Sequence, residues 1–99
     1  MTISKTQTEG KTVLALSGRL DTVTSPQLQE SLMTEIEASE HVELDFAELA
    51  YVSSAGLRVL LTGQKTAKAK NAVMTVRNVS AEIMEVLEMT GFTNILNIE

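Results

Sequence analysis

The residues whose types and spacing could support chemistry lie in one short stretch, Tyr51-Val52-Ser53-Ser54-Ala55-Gly56-Leu57. The stretch joins a strand pattern to a helix pattern, and ligand sites on α/β sheets usually lie at such junctions. The first backbone N–H groups of a helix have no intrahelical partners and lie at the positive end of the helix dipole, so an anion there is stabilised. The pattern therefore predicts an exposed turn that would tolerate a phosphate on Ser54.

Two other interpretations compete with phosphorylation. Serine is a preferred N-cap residue, so Ser53 or Ser54 could do no more than begin the helix, and residue chemistry alone favours the cap as much as the acceptor. A serine hydrolase needs a glycine two residues before the nucleophile and a histidine–carboxylate pair. Val52 occupies the glycine position, and His41, the only histidine, begins a strand pattern, where we expect a solvated side chain. We therefore expect no enzymatic activity.

Length and composition indicate one compact domain spanning residues 1–99. A chain of 99 residues with 43% hydrophobic content can bury a single core that needs no disulfide or metal ion to stabilise it. The absence of cysteine excludes disulfides, thiolate zinc sites and a cysteine nucleophile, and it is compatible with a reducing compartment. No stretch approaches the roughly 20 apolar residues that span a bilayer. We therefore expect a cytoplasmic protein without a membrane segment.

Charge and motifs narrow the classes of ligand. The net charge of −5 and the isoelectric point of 4.8 would repel nucleic acid. One tyrosine and two phenylalanines are too few for a base-stacking platform. The chain has no glycine-rich phosphate loop ending in lysine and serine or threonine, and no carboxylate–histidine cluster with metal-ligand spacing. We expect no nucleic-acid partner, no cofactor and no metal.

The first half of the chain predicts a hairpin, a helix and a strand. Glu9-Gly10 is a turn signal between a weak strand pattern at 3–8 and a buried one at 13–16. Residues 17–21 break the strand pattern, and Thr24-Ser25-Pro26 is typical of a helix start. The apolar residues that follow repeat every four positions, as in a helix, at Leu28, Leu32 and Ile36. The next apolar residues alternate, as in a half-buried strand, at Val42, Leu44 and Phe46.

The second half alternates helix and strand patterns. A helix follows the serine-rich stretch, and Asn71 is a suitable left-handed residue before a strand at 72–77. Ser80 can cap a third helix that ends at Gly91, and a last strand contains Ile95, Leu96 and Ile98. The predicted order is β-β-α-β-α-β-α-β, which calls for right-handed crossovers and a mixed, mainly parallel sheet with helices packed against it.

Three segments carry a resemblance to a known family, and together with the remaining elements it covers almost the whole chain. They are Leu16-Ser17-Gly18-Arg19-Leu20-Asp21, Val42-Glu43-Leu44-Asp45-Phe46 and Tyr51-Val52-Ser53-Ser54-Ala55-Gly56-Leu57-Arg58-Val59-Leu60-Leu61. The chain resembles the STAS domain, the family of sulfate transporters and anti-sigma factor antagonists. The resemblance implies a single α/β domain of the STAS type.

The resemblance also implies partners. A small chain without membrane helices most resembles the bacterial antagonist branch of the family. There the unphosphorylated protein binds a serine/threonine kinase anti-sigma factor and frees a sigma factor, phosphorylation by the kinase ends binding, and a metal-dependent serine phosphatase is a further partner. STAS domains also occur in transporters, stress-signalling assemblies and lipid-transport accessory proteins. The alternative is therefore a constitutive interaction or regulatory subunit in which Ser54 is only a helix cap.

The family motif assigns roles to individual residues. Ser54 holds the acceptor position two residues before Gly56, while Ser53 stands where aspartate is usual and Ala55 where many members have a second hydroxyl. Gly18 and Asp21 correspond to the glycine and the acidic residue of the loop that lies beside the acceptor in the family. The resemblance thus implies a partner-binding surface of Asp21, Ser53, Ser54, Gly56 and Leu57. For Asp21 a role in capping or turn formation is an equal alternative.

Overall fold

Strands and helices alternate along the chain in the predicted order. The computed structural model describes all 99 residues. Its strands are β1 Thr2–Thr8, β2 Lys11–Leu20, β3 His41–Val52, β4 Val73–Arg77 and β5 Asn97–Ile98. Its helices are α1 Ser25–Ala38, α2 Ser54–Ala69 and α3 Ala81–Met89, followed by a 3-10 turn at Phe92–Asn94.

The five strands form one sheet in the order β1-β2-β3-β4-β5. Strand β1 is antiparallel to β2, and the other pairs are parallel, which confirms the predicted mixed, mainly parallel sheet. Each parallel connection leads to the next strand in the same direction. Because such crossovers are right-handed, all three helices lie against one face of the sheet. Burial alternates accordingly along β2, where Leu14 and Leu16 are buried while Val13 and Ala15 are half-buried.

The core lies between the sheet and the helices as one cluster of 20 buried hydrophobic residues. The predicted stripe of α1 faces this core, since Leu28, Leu32 and Ile36 are all buried. Helices α1 and α2 approach each other closely at Gly63. A Cβ atom at that position would lie 2.5 Å from Cδ2 of Leu32. The absence of a side chain at Gly63 therefore sets the spacing of the two helices.

The opposite face of the sheet carries ion pairs and a hydrogen bond between neighbouring strands. The Glu43 side chain is 7% exposed, and its carboxylate lies 2.9 Å from Nζ of Lys11 and 3.6 Å from an Arg77 guanidinium nitrogen. These ion pairs connect β2, β3 and β4. His41 Nε2 lies 3.0 Å from Oγ1 of Thr75 on β4. The expected solvated histidine is thus half-buried and hydrogen-bonded within the sheet.

Three strand boundaries differ from the sequence prediction. Strand β2 continues through residues 17–20, because bulges on both sides of Ser17-Gly18 and a φ of 101° at Gly18 keep it paired with β3. Strand β3 likewise extends from His41 to Val52 rather than ending at Phe46. Strand β5 has only two residues, since the 3-10 turn and the helical backbone of Ile95 delay its entry into the sheet.

The helix ends follow the predicted signals. Ser80 caps α3, its Oγ accepting a hydrogen bond from the backbone N–H of Ile83 at 3.2 Å. Gly91 and Asn71 take the left-handed conformation after α3 and α2, with φ of 79° and 59°. No helix combines the length and the apolar character that a membrane crossing requires.

Substitution of Leu44 tests the position of β3. The side chain is fully buried, so Leu44→Ala should lower the free energy of unfolding by about 2–5 kcal/mol, measured by urea denaturation. Val73→Ala is the matched control in the neighbouring strand: Val73 is 46% exposed, and the loss should stay below about 1 kcal/mol. Equal, small losses for both variants would contradict the described register.

Candidate functional site

Two loops meet at the carboxyl ends of β2 and β3. Leu20 and Val52 pair as the last residues of the two strands, and the backbone N–H of Ser53 donates to the carbonyl of Leu20 at 2.9 Å. The loop after β2, residues 21–24, therefore lies directly beside the first turn of α2. This is the juxtaposition that the family resemblance implies for Asp21 and Ser54.

The two adjacent serines have different roles. Ser53 is the N-cap of α2, with extended backbone, and its Oγ accepts a hydrogen bond from the backbone N–H of Gly56 at 3.3 Å. Ser54 is the first residue of the helix, its side chain is exposed, and its hydroxyl forms no hydrogen bond within the protein. The interpretation that Ser54 serves as the helix cap is therefore wrong, because Ser53 fills that role.

Gly56 allows α2 to approach the end of β2. A Cβ atom there would lie 2.7 Å from Cγ of Leu20 and 3.1 Å from its carbonyl oxygen. Gly56 and its neighbour Leu57 are both buried, and Leu57 is only 8% exposed. These two residues thus support the site from beneath, whereas the serines lie on its surface.

Asp21 is engaged in its own turn. Its Oδ1 accepts hydrogen bonds from the backbone N–H groups of Val23 and Thr24, both at 3.0 Å. The backbone N–H of Asp21 donates in return to Oγ1 of Thr24 at 2.8 Å. The bond from the Thr24 backbone is the main reason that the pKa of Asp21 is lowered, and the Thr24 hydroxyl, the Val23 backbone and the charge of Arg19 act in the same direction. The turn-forming role of Asp21 is therefore observed.

The same turn presents an apolar side chain that the sequence analysis missed. Val23 is 85% exposed, although its backbone is held by Asp21. Tyr51, 40% exposed, lies next to the turn, and the Arg19 guanidinium stacks 4.1 Å from the centre of its ring. Periodicity could not single out Val23, because it lies in a loop. A branched apolar residue among polar turn residues was the only available signal.

A shallow groove of about 520 Å³ lies between α1 and α2, and Ala55, next to Ser54 in the sequence, is among the residues that line it. Only three of the ten residues that line it are hydrophobic, so it differs from the mostly apolar pockets that enclose small ligands. His41 begins β3 while Ser54 follows its far end, and the two side chains cannot meet as a catalytic pair. No group of three or more histidine, aspartate or glutamate side chains forms a cluster that could hold a metal ion.

Asp21→Asn tests the charge in the turn. A lowered pKa means that the ionised carboxylate stabilises the fold, fully above its ordinary value of 3.8 and less as the pH falls through the lowered value. The variant should melt at a lower temperature than the wild type at pH 7, and the difference should shrink below about pH 3.8. Thr22→Ala, in the same loop, is the control. A difference that does not change with pH would contradict the ionic contribution.

Comparison with known proteins identifies the family. The profile of the family described as "Mlab, STAS domain" matches residues 3–97. The anti-sigma F factor antagonist of Paenibacillus polymyxa is 31% identical over 91 residues, covering 90% of this chain and 78% of that protein. The anti-sigma-B factor antagonist of Bacillus subtilis is 24% identical over 92 residues, covering 93% of this chain and 84% of that protein.

Solved structures agree on the fold. SpoIIAA, an anti-sigma factor antagonist, has been solved in its unphosphorylated form, which matches with a TM-score of 0.79 at 20% identity over 99% of this chain and 87% of that chain. Its phosphorylated form, from Bacillus, matches with a TM-score of 0.77 at 20% identity over 99% of this chain and 91% of that chain. At this identity the likeness establishes the architecture alone. Together with the family profile, it shows that the chain belongs to the STAS domain family, among relatives named as anti-sigma factor antagonists.

Proposed function

We propose that this chain is an anti-sigma factor antagonist switched at Ser54. Its unphosphorylated form binds a serine/threonine kinase anti-sigma factor and so releases a sigma factor, and phosphorylation of Ser54 ends the binding. The observation that carries the proposal is the exposed, unbonded hydroxyl of Ser54 next to a serine that already caps the helix. The names of the relatives support the class of partner, and the solution of SpoIIAA in both phosphorylation states supports the switch.

The proposed binding surface consists of the two loops around Ser54. Ser53, Ser54 and the turn held by Asp21 supply its polar part, and Val23 supplies an exposed apolar side chain on a hydrogen-bonded backbone. Gly56 and Leu57 shape this surface from below because both are buried. A turn that is already ordered loses little conformational entropy on binding, which favours affinity.

Phosphorylation acts on binding rather than on folding in this proposal. A phosphate adds a charge of about −1.5 to −2. At the first residue of α2 this charge is tolerated or stabilises the fold by about 0.3–1 kcal/mol. A partner packed over Ser54 would instead have to bury the charge unpaired, which costs several kcal/mol. Since about 1.4 kcal/mol changes affinity tenfold, this penalty is sufficient for a switch.

The proposed cycle needs an enzyme that removes the phosphate. An exposed phosphoserine at a helix start is accessible to a metal-dependent serine phosphatase, which we propose as the second partner. The chain itself acts in this cycle as a substrate and a ligand, with no catalytic residue of its own. Such a cycle would operate in the bacterial cytoplasm, where the kinase has access to ATP and to the sigma factor.

Variants of the two serines separate the switch from the helix cap. Ser54→Asp should weaken binding to the kinase at least tenfold and leave the melting temperature within a few degrees. Ser54→Ala should bind well and accept no phosphate. Ser53→Ala is the matched control, which should lose about 0.5–2 kcal/mol of stability with the cap and still be phosphorylated at Ser54.

Isothermal titration against the kinase and phosphosite mapping by mass spectrometry provide the measurements. The kinase would be sought among small histidine-kinase-like ATPases encoded beside this gene. Equal affinities of Ser54→Asp and wild type would refute the switch. The chain would then be a constitutive interaction or regulatory subunit of a stress-signalling or lipid-transport assembly.

Val23→Ser tests where the partner binds. Loss of the apolar contact should reduce affinity for the kinase about fivefold to thirtyfold, because burial of a valine side chain contributes on the order of 1–2 kcal/mol at an interface. The backbone bond from Val23 to Asp21 is retained, so the melting temperature should not change. Val73→Ser, the same change at an exposed valine paired with His41 at the start of β3, should bind as the wild type does. An unchanged affinity of Val23→Ser would place the interface elsewhere.

A further inference from the structure

One cation near Ser54 has no counter-ion. The chain has three arginines, and two of them are engaged: Arg19 stacks on Tyr51, and Arg77 pairs with Glu43. Arg58 is exposed and lies within 4.0 Å of no carboxylate. Its guanidinium is therefore available to an anion on the surface around the proposed acceptor.

Arg58 follows Ser54 by one turn of α2. Residues four apart on a helix lie on the same face, with Cβ atoms about 5–6 Å apart. An anionic group that precedes a cationic one at this spacing has the favourable orientation. The backbone carbonyl of Arg58 accepts a hydrogen bond from the Thr62 hydroxyl at 3.0 Å, whereas the guanidinium forms no hydrogen bond or ion pair within the protein.

Two carboxylates near this site, those of Asp21 and Glu30, do not pair with Arg58. Asp21 lies in the adjacent turn, where its Oδ1 is occupied by backbone donors and its Oδ2 lies 3.9 Å from Arg19. Glu30 lines the groove between α1 and α2 together with Arg58, but it forms no ion pair with it. Arg19, the other arginine near this turn, stacks on Tyr51 and lies beside Asp21.

We infer that Arg58 binds the phosphate of Ser54 within the same chain. This inference rests on the proposed function, in which Ser54 is the phosphoacceptor. A guanidinium can donate two parallel hydrogen bonds to phosphate oxygens, and such charge-assisted pairs are about twice as strong as neutral hydrogen bonds. In the unphosphorylated protein the same guanidinium faces solvent beside the proposed binding surface and can pair with a carboxylate of the partner.

Phosphorylation would then change the surface in two ways. It adds an anion at Ser54, and it withdraws the cation of Arg58 from the partner by pairing it internally. Both changes oppose binding, because charge complementarity across an interface depends on groups that are free to engage the other protein. Arg58 thus acts as a positioning residue for the switch, in addition to the general effect of the helix dipole.

The test uses protein in which phosphoserine is incorporated at position 54 during translation, so that no kinase is needed. The second pKa of the phosphate, ordinarily about 6, is measured by phosphorus NMR during a pH titration. A paired guanidinium favours the dianion, so this pKa should be at least about 0.5 unit lower with Arg58 present than in Arg58→Gln. Arg58→Lys should give an intermediate value, because it keeps the charge without the bidentate geometry.

Lys65→Gln is the matched control, since it removes a positive charge from the same helix almost two turns beyond Arg58. Its phosphate pKa should equal that of the wild type. Equal pKa values in wild type and Arg58→Gln would overturn the inference, and so would equal shifts in Arg58→Gln and Lys65→Gln. Either result would leave the proposed switch intact, because the switch is tested separately by phosphorylation and binding of the unmodified chain.

Discussion

The contact between the end of β2 and the first turn of α2 is the constraint on which the site depends. The Ser53 backbone donates to the Leu20 carbonyl, and the missing side chain of Gly56 lets the helix approach the same residue. A methyl group at Gly56 would force these elements apart, because backbone as well as side chain lies within 3.1 Å. The loop that follows β2 and the start of α2 can form one surface only while this contact holds.

Near that contact, the side chains of Ser53 and Asp21 are hydrogen-bonded to the backbone, whereas that of Ser54 is not. Ser53 satisfies a backbone N–H of the helix, so its hydroxyl is occupied. The Asp21 carboxylate is occupied in the same way by the backbone of its own turn. Ser54 retains a free hydroxyl at a place where the helix dipole favours negative charge. The fold therefore does not depend on the Ser54 hydroxyl, which is a suitable condition for the reversible switch proposed at this residue.

The arrangement of the sheet explains why the site lies at the carboxyl ends of β2 and β3. All three helices cover one face, while the other is closed by the pairing of Glu43 with Lys11 and Arg77. The parallel strands β2, β3 and β4 each lead into a helix at their carboxyl ends. The loops after β2 and β3 therefore lie next to each other. The groove between α1 and α2 is lined by Thr22 of the loop after β2 and by Ala55 and Arg58 of α2. In the proposed function, interaction and regulation are therefore concentrated at this end of the strands.

The sequence by itself determined the elements whose signals are local. The apolar repeat beginning at Leu28 and the cap at Ser80 predicted the helices and the order of the fold, because each depends on near neighbours. The candidate acceptor Ser54 came from the resemblance to the family motif, since residue chemistry alone left a helix cap equally favoured. The tertiary structure alone decided which serine caps α2, that β2 continues past Gly18, and that Val23 is exposed. The extension of β2 depends on pairing with β3, and the start of α2 is fixed by the contacts of Ser53 and Gly56 with Leu20, which lie between segments distant in the chain. The exposure of Val23 follows from the direction of the turn that Asp21 holds, which has no periodic pattern.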